Sequence, residues 1–171
     1  LDLKPSNILL KNLPKSKTIK ISHLDFAIID FGATKAVSEK STFMKQQMAS
    51  AAFSPPEILN RYFGKANDIW AFGVISYLVL LNKFFFKADG VKMFINKDKT
   101  LLKKSIERGL SNISNKLIPE NINKDKYLNI LVNPINLDIL RDFFLNVFTI
   151  DYRKRPNTKK LLKHKLFTLI K

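Results

Sequence analysis

Residues 69–81 limit the possible folds more than any other stretch of this 171-residue sequence. They are apolar nearly all round a helix, which is typical of a helix buried on every side rather than one at the surface. The stretch is too short to cross a bilayer and is interrupted by a glycine, a serine and a tyrosine. We therefore expect a buried helix at 68–81 in one compact domain, with Asn67 or Asp68 as its N-cap.

The remaining predicted elements divide the chain into a first part with strands and a second part with helices. Short apolar or alternating runs predict strands at 8–10, 18–22 and 26–29. Apolar residues recur at helical spacing in 99–109, 137–148 and 158–166. Polar composition predicts surface loops at 33–53 and 110–134. The predicted fold class is α+β and mainly α-helical, with small β-hairpins that carry acidic loops.

The formal net charge of +16 raises the question of a polyanionic partner. The excess is nearly all lysine and is scattered along the chain, which favours biased composition over a dedicated surface. A basic nucleic-acid-binding module therefore rests on charge alone, and we expect no specific nucleic-acid partner. The sequence has no cysteine and two histidines, which excludes disulfides, thiolate metal sites and histidine-only metal sites.

The first seven residues carry side chains that phosphoryl transfer needs. Asp2 and Asn7 are separated by a short loop that contains Lys4. Transfer to a hydroxyl needs a group that orients it and accepts its proton, oxygen ligands for a metal, and positive charge on the moving phosphate. Asp30, at the end of a predicted strand, adds a carboxylate suited to Mg²⁺, and Gly32 lets the backbone turn after it. These residues predict a phosphoryl-transfer site.

The order of these motifs resembles the protein kinase family. The D-L-x-x-x-N, D-F-G and A-P-E motifs of that family correspond to residues 2–7, 30–32 and 55–57. Residues 68–73 resemble the start of the family's central helix, and 151–156 its late arginine motif. The resemblance covers nearly the whole chain. It implies a partial protein kinase domain at 1–171, which runs from the catalytic loop to the final helix of the C-terminal lobe and lacks the N-terminal lobe.

The resemblance also implies the cofactors and the residues of an active site. Asp2 matches the catalytic base, and Lys4 matches the lysine that steadies the transferring phosphate of ATP. Asn7 and Asp30 match the two positions that bind Mg²⁺. Ser50 matches the hydroxyl residue that hydrogen-bonds to the catalytic loop beneath the substrate. Lys4 in this position is typical of serine/threonine kinases, so the implied partners are ATP and protein substrates.

Three further residues match structural positions of the family. Glu57 and Arg155 match a buried ion pair that holds the fold. Asp68 matches the aspartate that braces the catalytic loop through backbone N–H groups. Among the remaining polar and aromatic residues, we expect His164 at a helix end or on the surface, and Trp70 with 84–86 in the core.

Several departures from the family pattern leave an alternative open. Leu1 stands where the family usually has Arg before the catalytic aspartate, so phosphorylation within 38–42 is not expected to act by docking on that arginine. Pro55 replaces the alanine of A-P-E, and 49–51 replaces a common G-T-P, which changes the floor of the substrate groove. These departures favour a pseudokinase that binds partners, whereas the intact catalytic and metal-binding residues favour an active enzyme.

Two further expectations concern the metal motif and the length of the chain. Asp25 also precedes a phenylalanine, but Asp30 is favoured because the glycine and a predicted strand accompany it. The family places its glycine-rich loop and strand lysine before the catalytic loop, where this sequence has only Leu1. We therefore expect the 171 residues alone to lack kinase activity. The family's helix that packs beside the central helix also precedes the catalytic loop, so we expect part of the face of 69–81 to be bare. The compartment and the oligomeric state are not indicated, with the cytoplasm as the default.

Overall fold

The computed structural model describes residues 2–11, 24–34, 42–43, 51–81, 84–86, 98–111 and 134–168. Its strands are β1 (Ile8–Leu10), β2 (Phe26–Ile28), β3 (Thr42–Phe43) and β4 (Tyr62–Phe63). Its α-helices are α1 (Lys65–Leu81), α2 (Lys99–Ser111), α3 (Pro134–Val147), α4 (Thr158–Leu161) and α5 (Lys165–Thr168). Short 3₁₀ helices lie at Pro5–Asn7, Phe31–Ala33, Ala51–Phe53 and Pro56–Asn60. The described chain is thus helix-rich with two small antiparallel sheets.

Most of the predicted elements are present. The strands expected at 8–10 and 26–29 are β1 and β2, which pair antiparallel with Ile8 opposite Ile28. The helices expected at 68–81, 99–109 and 137–148 are α1, α2 and α3. The predicted strand at 18–22 lies outside the described residues. Within the loop predicted at 33–53, Thr42–Phe43 forms β3 and pairs with β4.

Helix α1 lies at the centre of the core, as its apolar sequence predicts. Trp70, Val74 and Tyr77 on α1 are fully buried, and α1 packs against α3. A Cβ atom on Gly73 would lie 2.6 Å from Val147 Cγ2 of α3, so glycine allows the two helices to approach this closely. Within 69–80, Val79 is 74% exposed and the other residues are buried or half-buried, so the bare face expected of this stretch is limited to Val79. Among the described residues, no helix is long and apolar enough to span a membrane.

The predicted N-cap of α1 is wrong in detail. The helix begins at Lys65, three residues before the expected start at Asp68. Asn67 Oδ1 reaches back and accepts a hydrogen bond of 2.7 Å from the backbone N–H of Gly64. Asn67 thus occupies the third helical position and satisfies the N–H of the capping residue, which is the reciprocal half of a capping box.

The prediction of a single helix at 158–166 is also wrong. This stretch contains two helices, α4 and α5, and His164 lies between them. His164 Nδ1 accepts a hydrogen bond of 3.1 Å from the backbone N–H of Leu166, so the imidazole caps α5. Its Nε2 lies 2.9 Å from Asp142 Oδ2 of α3. Because Nδ1 accepts, Nε2 carries the proton and donates to Asp142. The expected position of His164 at a helix end is confirmed.

The aromatic residues after α1 divide between the core and the surface. Phe85 and Phe86 are buried, and the Phe85 ring stacks on Phe148 with centroids 3.9 Å apart. Phe84 is 54% exposed and contacts the edge of Phe53, so its predicted place in the core is wrong. Consecutive side chains outside a helix point in different directions, and the three rings cannot all face the core.

Candidate active site

The β1–β2 hairpin brings the first loop and the Asp30 motif to the same end. Strand β1 begins directly after Asn7, and β2 ends two residues before Asp30. The backbone N–H of Ile29 donates a hydrogen bond of 2.9 Å to the carbonyl of Asn7. At the other end, the N–H of Lys11 donates to the carbonyl of Asp25. Asp30 therefore lies beside the first loop, whereas Asp25 lies at the opposite end of the hairpin.

Asp2 and Lys4 form a close ion pair within the first loop. Lys4 Nζ lies 2.6 Å from Asp2 Oδ2, and both side chains are partly buried. The hydrogen bond to Asp2 raises the pKa of Lys4, and the negative charge of Asp30 raises it further. Lys4 therefore stays protonated and holds its positive charge against the Asp2 carboxylate.

Asn7 fixes the shape of this loop from a buried position. Its Nδ2 donates a hydrogen bond of 2.8 Å to the carbonyl of Asp2, and its backbone N–H donates one of 3.0 Å to the carbonyl of Lys4. Asn7 Oδ1 accepts no hydrogen bond within the part of the chain that the structure describes. Its donors thus close the loop and leave an amide oxygen available to a ligand.

The backbone of Asp30 adopts an unusual left-handed conformation. Its φ of 58° and ψ of 71° belong to a region that non-glycine residues rarely occupy, although Asp enters it more readily than most. Asp30 Oδ1 lies 3.4 Å from the backbone N of Gly32. This turn gives the exposed Asp30 carboxylate its direction, immediately after strand β2.

These oxygen atoms fit one kind of metal ion better than others. Mg²⁺ prefers oxygen ligands and is usually held by one or two carboxylates together with substrate phosphates and water. Asn7 Oδ1 and the Asp30 carboxylate offer such a partial set. Among the described residues, no group of three or more His, Cys, Asp and Glu side chains could form a complete cage. The residues therefore fit an ion that is shared with a phosphate ligand.

Asp68 lies beside the first loop at the start of α1. A cavity of about 40 Å³ is lined by Asp2, Leu3, Ser54 and Asp68, among others. Burial raises the pKa of the Asp68 carboxyl above its ordinary value. The structure thus brings the loop that carries Asp2 against the first turn of the central helix.

Glu57 and Arg155 form a buried ion pair next to the first turn of α1. The Arg155 nitrogens Nη1 and Nη2 lie 2.6 and 3.0 Å from Glu57 Oε1 and Oε2. Arg155 also donates to the carbonyls of Ala66 and Thr149. These contacts use all five N–H groups of the guanidinium. Its carbon Cζ lies 5.0 Å from the centre of the Trp70 ring, a further favourable contact for a cation.

A family model described as a protein kinase domain matches residues 1–167. The chain belongs to the protein kinase family. It is 41% identical over 83 residues to fhkC of Dictyostelium discoideum, named a probable serine/threonine-protein kinase, and this match covers 46% of the chain and 12% of that protein.

Other similar kinases come from plants and yeast. Calcium-dependent protein kinase 31 of Arabidopsis thaliana is 38% identical over 82 residues, covering 48% of the chain and 15% of the relative. The carbon catabolite-derepressing protein kinase of Saccharomyces cerevisiae is 27% identical over 164 residues, covering 92% of the chain and 23% of the relative. This kinase chain therefore spans less than a quarter of the length of these three relatives.

The predicted site residues of this kinase chain fall into three groups. Asp2, Lys4, Asn7 and Asp30 lie at one end of the hairpin. Asp68 lies behind that loop, and Glu57 with Arg155 lies deeper. Ser50 lies outside the described residues. Sequence reasoning missed the carbonyls of Ala66 and Thr149 as partners of Arg155, because a backbone acceptor leaves no signal in residue identity.

Proposed function

We propose that the protein carrying this chain is a serine/threonine kinase that transfers the γ-phosphate of ATP to hydroxyl groups of protein substrates. The observation that carries the proposal is the 2.6 Å contact between Lys4 Nζ and Asp2 Oδ2, at the end of the hairpin where Asn7 and Asp30 lie. A carboxylate, a fixed positive charge and two oxygen ligands are what phosphoryl transfer to a hydroxyl requires. Membership of the kinase family supports the same assignment.

In this proposal, Asp2 and Lys4 act on the two reacting groups. The Asp2 carboxylate orients the substrate hydroxyl and accepts its proton, because its oxygens are acceptors when it is ionised. Lys4 shares its positive charge between Asp2 and the transferring phosphate. The raised pKa of Lys4 supports this role, since the ammonium stays charged over the physiological pH range.

Asn7 and Asp30 are the proposed ligands of the cation that accompanies ATP. When bound, Mg²⁺ neutralises charge on the phosphates of the nucleotide. Asn7 Oδ1 would face the ion while Nδ2 keeps its hydrogen bond to the carbonyl of Asp2. Asp30 would contribute its carboxylate from the left-handed turn. Glu57, Arg155 and Asp68 are proposed to support the loop and the fold rather than the chemistry.

The family's glycine-rich loop and strand lysine do not occur in residues 2–171, so we expect the isolated 171-residue chain not to transfer phosphate. Activity is therefore a property to test in the complete protein that carries this chain. The same protein would accept serine and threonine peptides but not an otherwise identical tyrosine peptide.

The test is transfer of ³²P from Mg·ATP to a mixed serine/threonine protein substrate by the complete protein and two variants. Asp2→Asn removes the proposed base, whereas Asp25→Asn makes the same change at the far end of the hairpin. Transfer that is lost only in Asp2→Asn would support the proposal. A folded wild-type protein without transfer would reject it and favour a pseudokinase.

A further inference from the structure

A groove of about 570 Å³ lies between α3 and the segment that contains α4 and α5. It is distinct from the candidate active site, because none of its lining residues belongs to the hairpin, the first loop or α1. Lys160, Lys163 and Lys165 line it from one side. Asp138 and Asp142 line it from α3. The groove is therefore charged on both sides, with opposite signs.

The charged groups of the two sides differ in whether they already have partners. Asp142 Oδ2 lies 2.9 Å from His164 Nε2, and Asp138 Oδ1 lies 3.5 Å from Arg141 Nη1. The three lysines form no ion pair with any residue that the structure describes. Apart from the ion-paired Asp138, three lysine charges face the one carboxylate of Asp142, so the charge of the groove among the described residues is net positive, with its positive side at α4–α5.

The groove also has an apolar surface. Leu161 and Pro156 are buried, and Ile139 of α3 is half-buried; all three line the groove. The volume falls within the range of about 300–1,000 Å³ that is usual for ligand pockets. It is large enough for one or two apolar side chains. A matching ligand combines negative charge on one side with an apolar anchor.

We propose that this groove binds an acidic peptide segment of a partner protein, with a leucine-like side chain seated against Ile139 and Leu161. Carboxylates on the flanking peptide residues would pair with Lys160, Lys163 and Lys165. A nucleic acid fits less well, because its phosphates are evenly spaced and would meet the carboxylates on α3. A peptide can place its acidic residues on the lysine side alone.

The test uses a fluorescein-labelled twelve-residue peptide in which two leucines are flanked by glutamates. Its binding to the complete protein is measured by fluorescence anisotropy at low ionic strength. Lys160→Gln/Lys163→Gln removes two charges from the groove. Lys103→Gln/Lys104→Gln removes two exposed lysine charges from α2 and serves as the matched control. We expect the groove variant to bind about tenfold more weakly and the control within about twofold of wild type.

Two further probes separate the peptide from simpler polyanions. Replacing both leucines of the peptide by serine should weaken binding about tenfold, because the apolar anchor is lost. A single-stranded oligonucleotide of equal charge should bind more weakly than the peptide. Equal loss of affinity in both lysine variants would overturn the proposal. So would binding that does not depend on the leucines, or tighter binding of the oligonucleotide.

Discussion

Arg155 and Glu57 are joined by two parallel hydrogen bonds, although 98 residues separate them in the sequence. Both side chains are almost completely buried, with 0% and 3% of their surfaces exposed. A buried charge without its partner is strongly destabilising, and a flat guanidinium matches a carboxylate in a way that a lysine ammonium does not. The pair therefore connects the 3₁₀ helix Pro56–Asn60 to the segment just before α4.

Arg155→Met should lower the free energy of unfolding by about 3–5 kcal/mol, because Glu57 would remain buried and unpaired. Arg155→Lys should also be destabilising, since one ammonium cannot replace five N–H donors in fixed directions. Urea denaturation of the complete protein measures both. Arg153→Met is the matched control, because Arg153 is exposed and its ion pair with Asp151 lies at the surface. Equal stability of Arg155→Met and Arg153→Met would contradict the expectation.

Gly73→Ala should destabilise the chain by about 1–3 kcal/mol, even though alanine is the better helix former. The new Cβ would lie 2.6 Å from Val147 Cγ2, and the core has little room to move. Val147→Ala removes that methyl group. The double variant should therefore be more stable than the sum of the two single changes predicts, as a double-mutant cycle would measure. Simple additivity would show that the two side chains do not clash.

Tyr77→Phe should make the chain less sensitive to alkaline unfolding. Burial raises the pKa of Tyr77 from 10.0 to about 12, so the folded chain holds this proton more tightly than the unfolded chain. The free energy of unfolding contributed by Tyr77 is therefore unchanged below pH 10 and falls as the pH rises from 10 to about 12. Its full loss amounts to about 3 kcal/mol.

The measurement is the urea midpoint of wild type and Tyr77→Phe at several pH values from 8 to 11.5. The stability difference between wild type and Tyr77→Phe should change above pH 10. A difference that stays flat up to pH 11.5 would contradict the buried position of the Tyr77 hydroxyl.

Asn7→Ala and Asn7→Asp should separate the two proposed uses of the Asn7 amide. Alanine removes the oxygen and the donor, so half-maximal phosphate transfer should need about 10- to 100-fold more Mg²⁺. Aspartate keeps an oxygen ligand but cannot donate to the carbonyl of Asp2, so it should lower stability with a smaller effect on the Mg²⁺ requirement. Exposed Asn60→Ala is the control. Unchanged Mg²⁺ dependence in Asn7→Ala would argue against Asn7 as a ligand.

The elements that rest on periodicity were predictable from the sequence. A long apolar stretch predicts helix α1. Short apolar runs beside loops with acidic residues predict strands β1 and β2. The position of Asn7 beside Asp30 follows from pairing those strands. Contacts that depend on a backbone acceptor or on one rotamer were not predictable. Arg155 bonds the carbonyls of Ala66 and Thr149, and the His164 imidazole interrupts a helix that its sequence would allow.

The hairpin also determines how Asp30 is placed relative to Asn7. Three residue pairs fix the register of β1 and β2, and the hydrogen bond from Ile29 to Asn7 lies at one end of them. The hydrogen bond from Lys11 to Asp25 lies at the other end. A slip of one residue in this register would turn the side chains of one strand to the opposite face. The pairing of β1 with β2, and not their separation along the chain, therefore sets Asp30 beside the first loop.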